Sequence, residues 1–186
     1  MKLLPFVCFA LASASASPFT LNIRWSNSPL SGPLNANGGS LWTGKPTAST
    51  CPDTVPHCKT VNATSFTAQD GKLFLNAIVP GGQQVYVSPQ GQLTYTQPHS
   101  ASIPAGSLTN LVSWSGAAGS SFLNPFLTFW LCDTDAASAD KWRVWLEYTN
   151  GTTGAITNNG SNGVNACTRI SLEAKPYQGT AAWEFA

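Results

Sequence analysis

One segment of this sequence places a tryptophan between two charged side chains, with Arg143, Trp145 and Glu147 each two residues apart. In an extended strand, residues two apart lie on the same face, so these three would point away from Val144 and Leu146. A flat aromatic ring bordered by hydrogen-bonding groups is suited to stacking on a sugar ring. These three residues are therefore a candidate carbohydrate-binding site. The alternatives are a cross-strand aromatic pair and a second buried face of the strand.

Residues for nucleophilic catalysis are scarce. The sequence holds two histidines, His57 and His99, both in proline-containing segments, and it has no G-x-S-x-G motif. A serine hydrolase needs a nucleophile, a histidine and an orienting acid in one place. Two histidines without a nearby carboxylate or a third ligand also make a poor metal site. We expect both histidines to have structural or exposed positions in loops.

The acidic residues show no recognisable catalytic pair, although paired carboxylates would suit glycoside hydrolysis. Asp70 precedes a glycine and is explained as a turn residue. Glu147 and Glu173 fall on the polar faces of predicted strands. There we expect them to form cross-strand ion pairs with the neighbouring Arg143 and Arg169.

A further acidic group, Asp133, Asp135 and Asp140, has the look of a cation-binding loop. It lacks the glycine and the closing glutamate of an EF-hand, so we expect these residues to cap a short helical turn instead. The sequence thus predicts no catalytic residue, no metal site and no cofactor. A small secreted hydrolase with less obvious carboxylates is kept as an alternative.

The N-terminal segment has the features of a secretion signal. Lys2 is followed by an apolar run over residues 3–11 and by small residues at 14–16. This order is typical of a signal peptide, which we place at residues 1–16. The run is too short to span a bilayer, and no later stretch reaches the roughly 18 apolar residues of a membrane helix. We expect the mature chain, residues 17–186, to be released outside the cell.

The cysteine count fits that compartment. Cys8 lies in the predicted leader, which leaves Cys51, Cys58, Cys132 and Cys167. An even number of cysteines in a protein that passes through the oxidising secretory pathway predicts disulfides. Four cysteines allow three pairings. A local bridge between the first two would be easy to close, and the last two would then tie two predicted strands together. Zinc is the competing interpretation, but no C-x-x-C pair is present.

Three sequons are also consistent with secretion. Asn62, Asn150 and Asn159 each begin an N-x-S/T motif without proline, so each is a candidate surface glycosylation site. The last two fall in a segment rich in Gly, Asn and Thr at residues 150–165, which we expect to be an exposed loop. Occupancy is most expected in that loop.

Charge excludes two classes of partner. The nine basic residues include Lys2 of the leader, which leaves eight basic against eight acidic residues in the mature chain. A neutral chain offers no general basic surface for nucleic acid or for an anionic membrane. Charged residues make up 9% of the sequence, against about 25% in ordinary domains. Such a polar but uncharged surface is typical of extracellular proteins, and cell-wall polysaccharide is the partner class we expect. We expect a monomer.

The hydrophobic pattern predicts an all-β fold. Apolar and polar residues alternate strictly over residues 19–25, 142–149 and 169–174. Residues 85–87 and 93–95 flank a Ser-Pro-Gln-Gly turn and predict a hairpin, whereas residues 30–39 are predicted to form a loop. No helical period persists for ten residues. We expect one disulfide-stabilised domain over residues 17–186, an antiparallel β-sandwich or a small β-barrel, with a β-trefoil as a variant.

Several short motifs resemble a known family. These motifs lie at residues 70–75, 84–87, 91–96, 129–132, 142–146 and 170–174, and they follow the order of elements in that family. The resemblance is to the small secreted fungal cell-wall proteins typified by PhiA, often labelled IgE-binding proteins because some are allergens. It implies a wall-associated protein linked to asexual development, the formation of phialides and conidia, and to stress protection. It supplies no catalytic residues, and IgE is a partner by this resemblance alone.

The first functional hypothesis is therefore a non-enzymatic protein of the cell wall that acts by association. The second is a lectin-like carbohydrate-binding module for wall glucan or chitin that uses Trp145, and the third is the hydrolase.

Overall fold

Strands account for the regular structure of the described chain, which in this computed structural model comprises residues 17–24, 31–113, 127–133, 141–149, 156–157 and 167–186. The predicted leader and the sequons at Asn150 and Asn159 lie outside those residues. The strands are β1 (Phe19–Ile23), β2 (Gly32–Pro33), β3 (Asn35–Asn37), β4 (Ser40–Thr43), β5 (Ser49–Thr50), β6 (Phe66–Gln69), β7 (Lys72–Leu75), β8 (Gln83–Val87), β9 (Leu93–Tyr95), β10 (Thr128–Asp133), β11 (Trp142–Thr149), β12 (Ile156–Thr157), β13 (Cys167–Ile170), β14 (Leu172–Pro176) and β15 (Glu184–Phe185). The all-β prediction is confirmed.

One large antiparallel sheet contains most of these strands. Its order is β13-β10-β11-β4-β9-β8-β7-β6-β1-β14, with β12, β2 and β3 added beside β11, β1 and β4. β5 and β15 form a separate two-stranded sheet. The predicted hairpin is present as β8 and β9. Its turn closes with hydrogen bonds from the Ser88 N–H to the Gln92 carbonyl (2.9 Å) and from the Gly91 N–H to the Ser88 carbonyl (2.8 Å).

The two ends of the large sheet belong to one stretch of chain. β13 and β14 are separated by Ser171 alone, yet β13 pairs with β10 and β14 pairs with β1. The Ser171 backbone and hydroxyl bind the Arg24 backbone, with the Arg24 N–H donating to the Ser171 carbonyl (2.9 Å) and the Ser171 hydroxyl donating to the Arg24 carbonyl (3.0 Å). We call residues 167–176 the corner strand. The sequence predicts a single strand over residues 169–174, and the structure divides it at Ser171 into β13 and β14.

The pairing of the two end strands of the sheet distinguishes between an open sheet and the closed β-barrel that was predicted as one alternative. Within the described residues no ladder pairs β13 with β14, so the sheet is not closed into the small barrel that was one alternative. Instead the sheet curves around a single core. Buried residues from its two halves, such as Leu21 and Phe66 on one side and Leu131 and Val144 on the other, belong to one apolar cluster. Each fully buried side chain of this size stabilises the fold by about 1.5–3 kcal/mol.

The loop predicted over residues 30–39 is wrong in part, because β2 and β3 lie within it. Leu34 and Ala36 are fully buried there, and two apolar anchors are enough to fix an otherwise polar segment. Gly38 and Gly39 have φ of 58° and 74°, which lets the chain turn tightly from β3 into β4.

Both predicted disulfides are present, and the structure settles their pairing. Cys51 bonds to Cys58 and closes a local loop, while Cys132 bonds to Cys167. The second bridge joins register partners of β10 and β13, whose Cα atoms are 4.1 Å apart. Because all four thiols are oxidised, the zinc alternative does not apply.

In the described part of the chain there is no helix with the length and apolar character needed to cross a membrane.

The C-terminal segment is held by a buried amide and a buried phenol. Gln83, which is fully buried, accepts a hydrogen bond from the Phe185 N–H (2.7 Å) and donates one to the Phe185 carbonyl (2.9 Å). The Tyr95 hydroxyl donates to the Ala186 carbonyl oxygen (2.7 Å) and accepts from the Gly39 N–H (3.1 Å). Burial raises the pKa of Tyr95 to about 12, against a smaller opposing effect of the bond from Gly39.

Candidate functional site

The strand that carries the predicted sugar-binding residues has the predicted orientation. Val144 and Leu146 of β11 are fully buried in the core. Arg143, Trp145 and Glu147 lie on the opposite, outer face of the sheet and are partly exposed. Alternation in β11 therefore places all three candidate residues together. Whether they bind a ligand stays a prediction.

The register of the sheet adds neighbours that the sequence of one strand does not reveal. Trp130 of β10 lies directly opposite Trp145, and Arg169 of β13 lies directly opposite Trp130. On the other side of β11, Gln92 forms an isolated bridge with Trp145. Directly opposed side chains on one face are about 4.5–5.5 Å apart at Cβ. A row therefore crosses the outer face in the order Arg169, Trp130, Trp145, Gln92, with two indoles at its centre.

This row includes the cross-strand aromatic pair that was the alternative to a sugar site. Trp145 is half-buried beside Trp130, so it is not a fully exposed platform. Sequence reasoning missed Trp130. The sequence signal that could have found it is alternation along the strand. Thr128, Trp130 and Cys132 alternate with Phe129 and Leu131, which are buried in the core.

A second row lies beside the first and is organised around Trp42 of β4. Arg143 is the register partner of Trp42, and its guanidinium carbon is 4.2 Å from the centre of the Trp42 ring. The Lys45 ammonium also lies over this ring, 3.6 Å from the centre. Trp42 is buried at 4% exposure, and its indole N–H donates to the Asn37 carbonyl (2.8 Å). Trp42 thus serves as a fixed aromatic support that positions Arg143 by a cation–π contact.

We call Trp42, Trp130, Trp145, Arg143 and Arg169 together the Trp–Arg face. Burial lowers the pKa of Arg143. The ordinary pKa of a guanidinium is so far above physiological pH that Arg143 stays charged. The face is therefore an aromatic surface that carries fixed positive charge.

Three hydrogen-bond donors of the Trp–Arg face have no acceptor in the described structure. They are the indole nitrogens of Trp130 and Trp145 and the Nε of Arg143, and all three atoms are shielded from solvent. An unpartnered buried donor costs about 1–3 kcal/mol. Most buried polar groups in folded proteins are paired, so three such donors on neighbouring positions need an explanation. Because solvent does not reach these atoms, a ligand could accept hydrogen bonds from them only if their side chains moved.

The predicted ion pairs of Glu147 with Arg143 and of Glu173 with Arg169 are wrong. Among the described residues neither pair comes within 4.0 Å, and Glu173 instead approaches Lys175 at 4.0 Å on the same strand. The reason is that Arg143 lies over Trp42, away from Glu147, whose register partner is Thr128.

The remaining candidates for chemistry are separated. His57 and His99 are exposed on different loops, and both have positive φ, 62° and 60°. Asp70 occupies a turn position with φ of 50°, as expected, and Glu184 accepts a hydrogen bond from the Thr50 hydroxyl (2.7 Å). No group of three or more His, Cys, Asp or Glu side chains that could hold a metal occurs among the described residues. Of the predicted acidic loop, Asp135 and Asp140 lie outside them.

The one described sequon has an exposed asparagine and a buried threonine. Asn62 is open to solvent, whereas Thr64 is 1% exposed. The Thr64 hydroxyl accepts a hydrogen bond from the Ala36 N–H (2.8 Å) and shares another with the Thr47 hydroxyl (2.9 Å). Asn62 is therefore accessible for a glycan, while Thr64 also has a structural role in holding β3.

These features define a class, the small disulfide-bonded all-β proteins whose outer sheet surface, away from the core, carries aromatic and basic residues. The chain belongs to the PhiA-like secreted protein family, whose model matches residues 19–186. It is also 31% identical, over 159 residues, to a protein of Arthroderma benhamiae described as an uncharacterized secreted protein, a match that covers 82% of this chain and 77% of that protein. No solved structure matches the chain. The protein is a secreted member of this family.

Proposed function

We propose that this secreted protein acts without catalysis, by binding a polysaccharide of the fungal cell wall through the Trp–Arg face. The observation that supports the proposal most is the pairing of Trp130 with Trp145 on the outer face, beside arginines that have no acidic partner within 4.0 Å among the described residues. Two adjacent, partly exposed indoles offer an aromatic surface on which a sugar ring can stack. The guanidinium groups at its edges supply donors for hydroxyl oxygens.

The strands that carry the face also favour the proposed binding role. The face is built on strands β4, β10, β11 and β13, and the Cys132–Cys167 bridge ties two of them together. Binding sites on rigid strands lose little conformational freedom when a ligand arrives. A polysaccharide presents hydroxyl oxygens along its whole length, and these can accept hydrogen bonds from the exposed guanidinium of Arg169.

A non-catalytic mode of action is part of the same proposal. The two histidines are exposed on separate loops, while Asp70, Glu173 and Glu184 have turn, ion-pair and hydrogen-bonding roles, respectively. Nothing among the described residues places a nucleophile, a base and an orienting group together. The hydrolase alternative is tested by incubating the protein with each polymer and measuring released reducing sugar.

The binding experiment is a pull-down of the mature protein, with any N-glycans removed, on insoluble chitin, β-glucan and mannan. We expect retention on at least one polymer and a loss of about 30-fold in affinity for Trp145→Ala, since truncation of an aromatic anchor costs about 2 kcal/mol. The matched control is Phe74→Ala, because Phe74 is a half-buried aromatic residue on the same side of the sheet, four strands away in β7. Equal retention of both variants would place the binding site elsewhere. Absence of retention on every polymer would refute the proposal.

The family resemblance leads us to add association with the wall during asexual development and a contribution to stress protection. A wall-binding protein would act there by being held at the surface of developing cells. Complementing a deletion strain with the native gene or with the Trp145→Ala variant tests this addition. Normal development with the variant would separate the developmental role from the Trp–Arg face.

A further inference from the structure

Charge on the Trp–Arg face is unevenly distributed. Arg143, Arg169 and the neighbouring Lys45 are cationic, and Glu147 is the acidic residue on this face among the described positions. The mature chain as a whole carries eight basic and eight acidic residues, if the leader is removed as predicted. The excess of positive charge is thus a local property of this face.

Neither arginine is paired with an acidic side chain among the described residues. Within the described chain, no carboxylate lies within 4.0 Å of either guanidinium, and Arg169 is exposed. Arg143 lies over the Trp42 ring with its Nε shielded and without an acceptor. A guanidinium binds carboxylate or phosphate oxygens with paired N–H donors, which makes arginine the preferred residue for such groups.

The positions of the arginines relative to the indoles fit an extended acidic polymer. Arg169 is the register partner of Trp130, and Arg143 precedes Trp145 by two residues on the same strand face. The guanidinium groups therefore stand on different sides of the Trp130–Trp145 pair. A chain with anionic groups at intervals could stack its sugar rings on the indoles and place anions at both arginines.

We propose that the ligand of the Trp–Arg face is an acidic glycan, a polysaccharide that bears carboxylate or phosphate groups. Its rings stack on Trp130 and Trp145, and its anions pair with Arg143 and Arg169. This inference rests on the proposed polysaccharide-binding function and specifies its ligand class. Glu147, at the edge of the face, disfavours anions at its own end and so directs them toward the arginines.

The test measures dissociation constants by calorimetry for three soluble probes, a polyuronate, a phosphorylated mannan and an unmodified mannan. We expect an acidic probe to bind more tightly than the neutral one and its affinity to fall as salt is raised, since exposed ion pairs are screened. Comparing the affinity for the polyuronate with the affinity for the phosphorylated mannan shows whether the preferred anion is a carboxylate or a phosphate. Arg143→Gln and Arg169→Gln should each weaken acidic-probe binding about 10- to 100-fold, the range for hydrogen bonds to charged groups.

Two variants control for charge and for geometry. Lys72→Gln removes one positive charge from β7, four strands from β11, and should leave affinity unchanged. Arg143→Lys keeps the charge but loses the planar pair of donors, so it should recover only part of the affinity that Arg143→Gln loses. Because Arg169 is exposed and makes no ion pair within the described chain, its substitution keeps the test valid even if Arg143 variants fold poorly.

The failures of the two proposals are distinguishable. Equal binding of neutral and acidic mannan, with no effect of either arginine variant and a loss in Trp145→Ala, would overturn the acidic-glycan inference and leave polysaccharide binding in place. An equal loss in Lys72→Gln would show unspecific charge attraction and also overturn it. Absence of binding to all probes and to the insoluble polymers would refute both.

Discussion

Gln83 gives a sharp test of how the C-terminal segment is held, because its side chain is fully buried and bonds both backbone groups of Phe185. Replacing it with leucine keeps the volume but removes the hydrogen-bonding partner of a buried N–H and a buried carbonyl. Each such group costs about 1–3 kcal/mol when left unpaired, so the variant should lose about 2–6 kcal/mol. That is a large fraction of the roughly 5–15 kcal/mol of a typical domain.

The assay is equilibrium unfolding in urea with the disulfides intact. With a slope of about 2 kcal/mol per molar urea, the middle of the usual range for small proteins, the expected loss lowers the midpoint by about 1–3 M while the slope stays the same. The matched control is Gln84→Leu, because the Gln84 side-chain nitrogen is buried without a partner and leucine removes that cost. The control should be neutral or slightly stabilised. Unchanged midpoints for Gln83→Leu, or equal losses in both variants, would refute the reasoning.

Two further outcomes follow from hydrogen bonds described above. Thr64→Ala should destabilise the protein by about 1–3 kcal/mol in the same urea assay, because it removes the acceptor of the buried Ala36 N–H. Asn62→Gln, which removes the same sequon but leaves that bond, should not change the stability of glycan-free protein; equal losses would contradict this. Tyr95, whose pKa burial raises to about 12, should ionise well above pH 10 in a titration followed by tyrosinate absorbance. Because an unfolded tyrosine ionises near pH 10, about two units lower, the stability that Tyr95 contributes is complete below pH 10 and falls as pH rises to 12. Tyr95→Phe should remove that part of the alkaline loss, and an unchanged alkaline profile would refute the assignment.

The fold class and the face of β11 could be predicted from the sequence because both depend on local alternation. Period-two patterns in β1 and β11 correctly place Leu21, Val144 and Leu146 in the core. The hairpin of β8 and β9 follows from turn residues that lie close together in the chain. The same local reasoning fails at residues 30–39, where Leu34 and Ala36 are held by distant parts of the sheet.

The composition of the candidate site could be predicted only in part, because it depends on register between strands far apart in the sequence. Trp145 is visible from its own strand. Trp42, Trp130 and Arg169 join it through pairings whose partners are set by the whole sheet. The expected Arg143–Glu147 pair fails for the same reason, since the nearest partner of Arg143 is an aromatic ring contributed by β4.

The corner strand has a consequence for the order in which the protein folds. β1 begins at Phe19 and its partner β14 ends at Pro176. One of the first strands to be synthesised can therefore pair with β14 only after nearly the whole chain has been made. β13, in the same short stretch, completes the opposite end of the sheet. Contacts so distant in sequence slow folding, since the chain must close a long loop before it gains them. Until residues 167–176 arrive, both sheet ends present unpaired edges, and such edges invite association with other chains. The Cys132–Cys167 bridge, once formed, ties β13 to β10 in register and so keeps one of those edges covered.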